Sequence, residues 1–301
     1  MLTNELTSPR RPLLAVWRDY YSLTKPRVVQ LLVFTAVVGM FLATPGLVPW
    51  DVLIFGSLGI GLAAASGAAV NHVLDQRIDA KMTRTRERPL PTGRISERDA
   101  MVFALVLGVA GLTTLALLIN PLTAVLTFIS LIGYAVVYTV FLKRATPQNI
   151  VIGGAAGAAP PMLGWAAVTN EVSGYALLLL LIIFTWTPPH FWALAIARKD
   201  DYEKAGVPML PVTHGIEMTK TFILCYTILL IVVSVLPYLT GMSGVLYLLG
   251  AVVLGGGFLY YAVRLKFVES DDVAMKTFAY SITYLIALFS FLLVDHYIPA
   301  L

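Results

Sequence analysis

The chain has 301 residues, of which 58% are hydrophobic and only 13% charged, and its mean hydropathy is +0.81. That balance excludes a soluble globular domain and reads as an integral membrane protein. The formal charge of +4 follows from where the basic residues sit and does not argue for nucleic-acid binding, and the single cysteine, Cys225, excludes a disulfide framework, an iron-sulfur cluster and a thiolate zinc centre on ligand count.

Residues 1–27 are basic but include Glu5 and Asp19 and lack an apolar segment with a small-residue cleavage site. They read as a cytoplasmic tail rather than a secretory signal or transit peptide. Stretches long enough to cross a bilayer follow at 28–44, 51–73, 100–119, 122–142, 149–168, 174–196, 220–238, 244–265 and 276–297. All 21 Lys and Arg precede the first of these spans or follow the second, fourth, sixth or eighth. The positive-inside rule then places the N-terminus and every even-numbered connection in the cytoplasm, with the C-terminus outside. Cys225, inside the seventh span, reads as packing.

Two polar connections, 74–99 and 197–219, face the same side of the membrane. In the first, Asn71, Asp75 and Asp79 are spaced i, i+4, i+8, so a continuing helix aligns them on one face. Acids at a helix C-terminus are disfavoured unless a cation joins them. Mg²⁺ is typically held by one or two carboxylates with phosphate and water completing the octahedron, and Arg84, Arg86, Arg88 and Arg94 follow as phosphate partners. The pattern points to a metal-bridged diphosphate at the membrane surface; loop acids balanced by arginine are the plainer alternative. Pro89, Pro91 and Gly93 stop the helix, and Ser96 with Asp99 resembles a capping box that starts the third span.

The second connection, RKDDYEKAGVP at 198–208, sets Asp200 and Asp201 beside Arg198 and Lys199. Two facing acidic clusters could hold two Mg²⁺ ions on one diphosphate. Just before it, the sixth span crowds Trp186, His190, Phe191 and Trp192 around Pro188 and Pro189. This is either a proline-distorted helix packed by aromatics, a wall that stabilises an allylic cation, or an imidazole placed for a metalloporphyrin. A continuous helix from His190 to Asp200 would separate them by roughly 15 Å. Tyr134 and Tyr138 read as core. His72, His214 and His296 have no role that the sequence identifies.

Taken together, NxxxDxxxD at 71–79, the following MxRTxxRPLPxGRIS, YYSLTKPRVV at 20–29, TPPHFWALAI at 187–196 and DYxxAGVPMLPV at 201–212 resemble the UbiA superfamily of intramembrane prenyltransferases. Within it they resemble the protohaem IX farnesyltransferase, or haem O synthase, branch. The resemblance spans nearly the whole chain and implies an all-α fold, a single domain over 1–301 built as a bundle of nine transmembrane helices around a central cavity in the cell inner membrane. It implies transfer of farnesyl from farnesyl diphosphate to a vinyl group of haem B with Mg²⁺ as cofactor, giving haem O for terminal oxidases, with a haem A synthase as a possible partner. Carried across by residue, it makes Asn71, Asp75 and Asp79 the Mg²⁺-diphosphate cluster, with Asp75 and Asp79 as metal ligands. Arg84, Arg88 and Lys199 become phosphate contacts, and His190, with Trp192 beside it, a haem contact. Many relatives carry DxxxD in the second connection. Alignment on Gly206 puts Arg198 and Tyr202 at those two positions, Asp200 and Asp201 are the nearest substitutes as metal ligands, and one or two ions stays open. The rival readings are a sister enzyme with an aromatic acceptor, a secondary transporter and a noncatalytic haem chaperone.

Overall fold

The computed structural model describes residues 12–268 and 270–298, and among them every regular element is helical. The frame consists of α1 (Leu13–Leu23), α2 (Pro26–Leu42), α3 (Trp50–Leu74), α4 (Glu97–Leu118), α5 (Pro121–Leu142), α6 (Asn149–Thr169), α7 (Gly174–Ala197), α8 (Gly215–Leu239), α9 (Val245–Phe267) and α10 (Asp271–Tyr297). Eight of these are long and apolar enough to cross a membrane, and α1 with α2, bent by 53°, makes a ninth candidate span. The nine expected spans are thus recovered within a few residues. Part of the expected tail, Leu13–Leu23, is helical, while residues 1–11, with Arg10 and Arg11, lie outside the described residues.

Local chemistry sets the helix ends. Ser96 Oγ accepts from the Asp99 amide at 3.1 Å and starts α4, as the capping pattern leads one to expect. Asn120 caps α5 in the same way through Thr123 N at 2.8 Å, with Pro121 in the first turn. Small residues then let the helices approach. A Cβ on Gly111 of α4 would lie 2.7 Å from the Gly59 carbonyl oxygen of α3, and on Gly164 of α6 it would overlap the Ala36 carbonyl of α2. Without a hydrophobic drive between helices in lipid, such close backbone packing carries much of the association.

α7 and α6 form the centre, with 67% and 61% of their apolar windows buried against protein, whereas α5 and α4 bury only 17% and 22% and form the rim. Leu105 and Val109 of α4 and Phe128 and Ile129 of α5 are exposed, which in a bilayer means facing lipid. Cys225 is exposed as well, so it is not the packing residue its place in an apolar span suggests.

The two polar connections are drawn together by a shared apolar cluster. Ile78 and Met82 from the first pack with Val207, Met209 and Leu210 from the second, over Trp192 and Ile196 of α7. Two expectations of helix continuity fail here. α3 stops at Leu74, Asp75 takes φ −92° and ψ 0°, and a single turn, Gln76–Asp79, follows. α7 stops at Ala197, and Arg198 redirects the chain into the short helix Lys199–Ala205. The run from His190 to Asp200 is therefore not one helix, and their separation is not an axial rise.

Candidate active site

The first cluster sits where α3 ends. Asn71, Asp75 and Asp79 are all buried, at 5%, 3% and 4% exposure. Asn71 Nδ2 donates to Asp75 Oδ2 at 2.8 Å, so those two share a face as their spacing requires. Asp79 is held separately: Arg88 Nη1 lies 2.7 Å from its Oδ2, and Thr85 Oγ1 donates to its carbonyl at 2.9 Å. Three buried acceptors at a helix C-terminus need positive charge, and two lysines that sequence reasoning passed over supply it with Arg88. Lys143 Nζ reaches Asp75 Oδ2 at 2.5 Å, and Lys25 Nζ donates to Asn71 Oδ1.

Lys143 is brought there by an unusual winding. The second half of α5, Gly133–Leu142, is a π-helix, a form often found at functional sites. Thr139 Oγ1 donates to Tyr134 O at 2.9 Å inside this stretch and accepts from Asn71 Nδ2 at 3.3 Å. The same segment stacks Tyr134 on Tyr138, with ring centroids 5.6 Å apart. Both rings are half-buried, and Thr139, which bonds the Tyr134 carbonyl, ties this stretch to Asn71, so the pair read as core lies on the segment that borders the site.

The second connection meets the first through a polar contact: Thr83 Oγ1 donates to Asp201 Oδ1 at 3.1 Å. Asp201 is buried and Asp200 exposed, so the two acids treated alike in sequence differ in structure. Gly206, at φ +69°, lets the chain fold back so that Val207 N bonds Tyr202 O at 3.0 Å. Burial pushes the Tyr202 phenol above its ordinary pKa, against the pull of nearby Arg84, and keeps it a neutral donor. Arg84 and Arg198 are exposed and Lys199 half-buried, and none of them makes an ion pair among the described residues.

His190 stands apart, on the α10 side of α7. Its Nδ1 is 2.6 Å from Ser281 Oγ, and its ring lies between Trp186 and Phe278. Trp192 is not brought to it; that indole is fully buried against Phe222 and Tyr226 of α8. Four buried polar atoms clustered in residues 72–76 lack a hydrogen-bond partner, namely both ring nitrogens of His72, Asp75 Oδ1 and Gln76 Oε1. Buried groups left unpaired by protein are open to water, an ion or a polar ligand.

The UbiA prenyltransferase family model matches residues 32–292. The chain belongs to that family. Among curated relatives, the protoheme IX farnesyltransferase of Nitrosococcus oceani is 60% identical over 289 residues, covering 96% of this chain and 97% of its own. That of Alkalilimnicola ehrlichii is 64% identical over 283 residues, covering 94% of each. Solved UbiA-type structures share the fold: a digeranylgeranylglyceryl phosphate synthase has a TM-score of 0.77 at 19% identity, covering 93% of this chain and 98% of that one. An Archaeoglobus fulgidus UbiA homologue bound to DMAPP and Mg²⁺ has 0.62 at 17% identity, covering 91% and 99%.

The residues present fit an Mg²⁺ ion shared with a diphosphate. Asp75 Oδ1 is buried and unpaired. No three or more His, Cys, Asp or Glu side chains gather among the described residues. An ion with one or two protein carboxylates and the rest of its shell from phosphate and water suits that donor set better than an all-protein cage does.

Proposed function

We propose that this multi-pass membrane protein transfers the farnesyl group of farnesyl diphosphate to a vinyl group of haem B, giving haem O for terminal oxidases. High identity to chains named protoheme IX farnesyltransferase, along nearly their full length, supports the substrate pair. The observation that carries the chemistry is the buried pairing of Asn71 and Asp75 with Lys25 and Lys143 and, one turn further on, of Asp79 with Arg88. Asp75 and Asp79 would hold Mg²⁺, which supplies charge neutralisation on the diphosphate oxygens.

The chain's own cations do the rest. Lys143, Arg88 and Lys25 face the negative charge that grows as the C1–O bond of the allylic chain breaks and the diphosphate keeps the electron pair. In this reading Arg84, Arg198, Lys199 and Tyr202 would supply further contacts to the diphosphate. The stacked Tyr134 and Tyr138 offer aromatic faces to the cationic carbon. The vinyl carbon of haem attacks C1, and water adds to the resulting cation and loses a proton, leaving the hydroxyl. His190, deeper in α7, is the haem contact in this reading. The one-sided Lys and Arg support a cytoplasmic N-terminus and an active site at the cytoplasmic face of the inner membrane, with a haem A synthase as a recipient of the product.

Mass spectrometry of the porphyrin recovered after incubating purified protein with haem B, farnesyl diphosphate and Mg²⁺ tests the reading. The expected product is haem plus one farnesyl group and one hydroxyl group. Unchanged haem alongside a prenylated phenolic acid would assign the acceptor to the aromatic class instead.

A further inference from the structure

Ser281 Oγ, on α10, makes two short contacts. It lies 2.6 Å from the Phe278 carbonyl oxygen and 2.6 Å from His190 Nδ1. A carbonyl oxygen only accepts, so the serine proton is committed to Phe278. A hydroxyl has one proton. Ser281 therefore accepts from His190, the ring carries its hydrogen on Nδ1, and Nε2 keeps the lone pair.

The ring cannot readily turn over to exchange those roles. Trp186 stacks on it at 4.2 Å and 20°, and Phe278 at 4.5 Å and 27°. Trp186 in turn donates Nε1 to the Ser281 carbonyl at 2.7 Å. Phe191 stands edge-on to the ring at 4.9 Å, both faces are covered and Nδ1 is bonded, so the polar atom the ring has left to offer is Nε2, which is not among the fully buried unpaired atoms.

Resting on the haem reading above, we propose that Ser281 is a positioning residue that fixes His190 as the Nδ1–H tautomer and so presents Nε2 as an axial ligand to the iron of the porphyrin substrate. Metal-bound histidines almost always donate their other ring N–H to an oxygen, which sets both tautomer and orientation. Here that oxygen belongs to Ser281. Ligation fixes the depth and tilt of the macrocycle but leaves rotation about the iron–nitrogen axis free, so selection of one vinyl group falls to other contacts.

The test titrates full-length protein in nanodiscs with ferric haem, zinc protoporphyrin and metal-free protoporphyrin IX, followed by absorbance. Wild type should favour the metallated forms and show a histidine-ligated Soret band. Ser281→Ala frees the ring to take the other tautomer. It should lose that band and weaken both metallated forms by about 10- to 100-fold, while metal-free binding stays put and Ser281→Thr restores the preference. Equal weakening of all three porphyrins would make Ser281 a packing residue and overturn the proposal. Should Ser281→Ala fail to fold, His190→Gly decides: added imidazole should rescue the ligated band, and a band that survives the substitution without imidazole overturns the proposal. Wild type that binds none of the porphyrins sinks the haem reading itself, an outcome distinct from porphyrin binding without a metal preference.

Discussion

Asp75 shows how charge is balanced at the scale of single residues. Its Oδ2 takes hydrogen bonds from Asn71 and Lys143, and its Oδ1 is kept free. Asp75→Asn preserves shape but removes the charge that anchors the metal and leaves Lys143 unbalanced. Farnesyl transfer should fall by at least about 10²-fold, with insertion and fold retained; near-normal transfer, measured with radiolabelled farnesyl diphosphate, would remove Asp75 from the metal site. Lys25 carries the pH dependence. Burial pushes its ammonium down to about 8 from an ordinary 10.5, with Arg88 adding to the fall and Asp75 and Asp79 opposing it. Between those values the unfolded chain holds a proton that the folded chain does not. Lys25 therefore disfavours the empty fold below about 8, and the penalty fades as pH rises through that window. A bound diphosphate favours the charged form instead, so binding should take up a proton and affinity should decline as pH rises through about 8. Calorimetry above about pH 8, in buffers of different ionisation enthalpy, measures that proton; Lys25→Arg should abolish its uptake, and wild-type binding that takes up no proton in that range would take Lys25 out of the site. The acids were legible because helical spacing is written locally. Their cations were not: Lys25 and Lys143 lie 46 and 68 positions from the partners they meet, and no local pattern encodes that.

Helices and their junctions set what the residues can reach. The α2–α6 contact depends on Gly164, where any side chain meets the Ala36 carbonyl. Gly164→Val should destabilise the bundle by about 1–3 kcal/mol. Gly157→Ala, with nothing within 4 Å of the added carbon, should be neutral, and thermal unfolding in detergent compares the two. The Thr83–Asp201 bond joins connections 118 positions apart. Asp201→Asn should thus slow farnesyl transfer more than Asp200→Asn, by about tenfold if one charged hydrogen bond is at stake. Equal effects in the transfer assay would mean the bond is incidental. Sequence located both connections and all nine candidate spans to within a few residues, since hydropathy and proline placement are strong signals. It missed the π-helical turn of α5 and the breaks at Asp75 and Arg198, because these winding changes depend on tertiary packing that an apolar run does not record.

The whole molecule gathers its charged chemistry at one end of an apolar bundle. Single cysteines at the exposed Glu87 and Glu203 positions, in a Cys225→Ala background, should react with impermeant thiol reagents from the cytoplasmic side, and one at exposed Asn170 from the other. Labelling of Glu87 and Glu203 from different sides would separate the two connections that the Thr83–Asp201 bond unites. The fold class was the most legible feature of the sequence, since nine apolar stretches with alternating basic connections allow few other arrangements, but which helices lie at the centre followed only from burial. The central claim is that one site ionises an allylic diphosphate for a haem acceptor, and the most direct measurement is diphosphate release by purified protein given radiolabelled farnesyl diphosphate and Mg²⁺, with and without haem B. Release that requires haem and matches porphyrin alkylated is the predicted result; release that proceeds equally without haem, or only with a phenolic acid, would contradict the account.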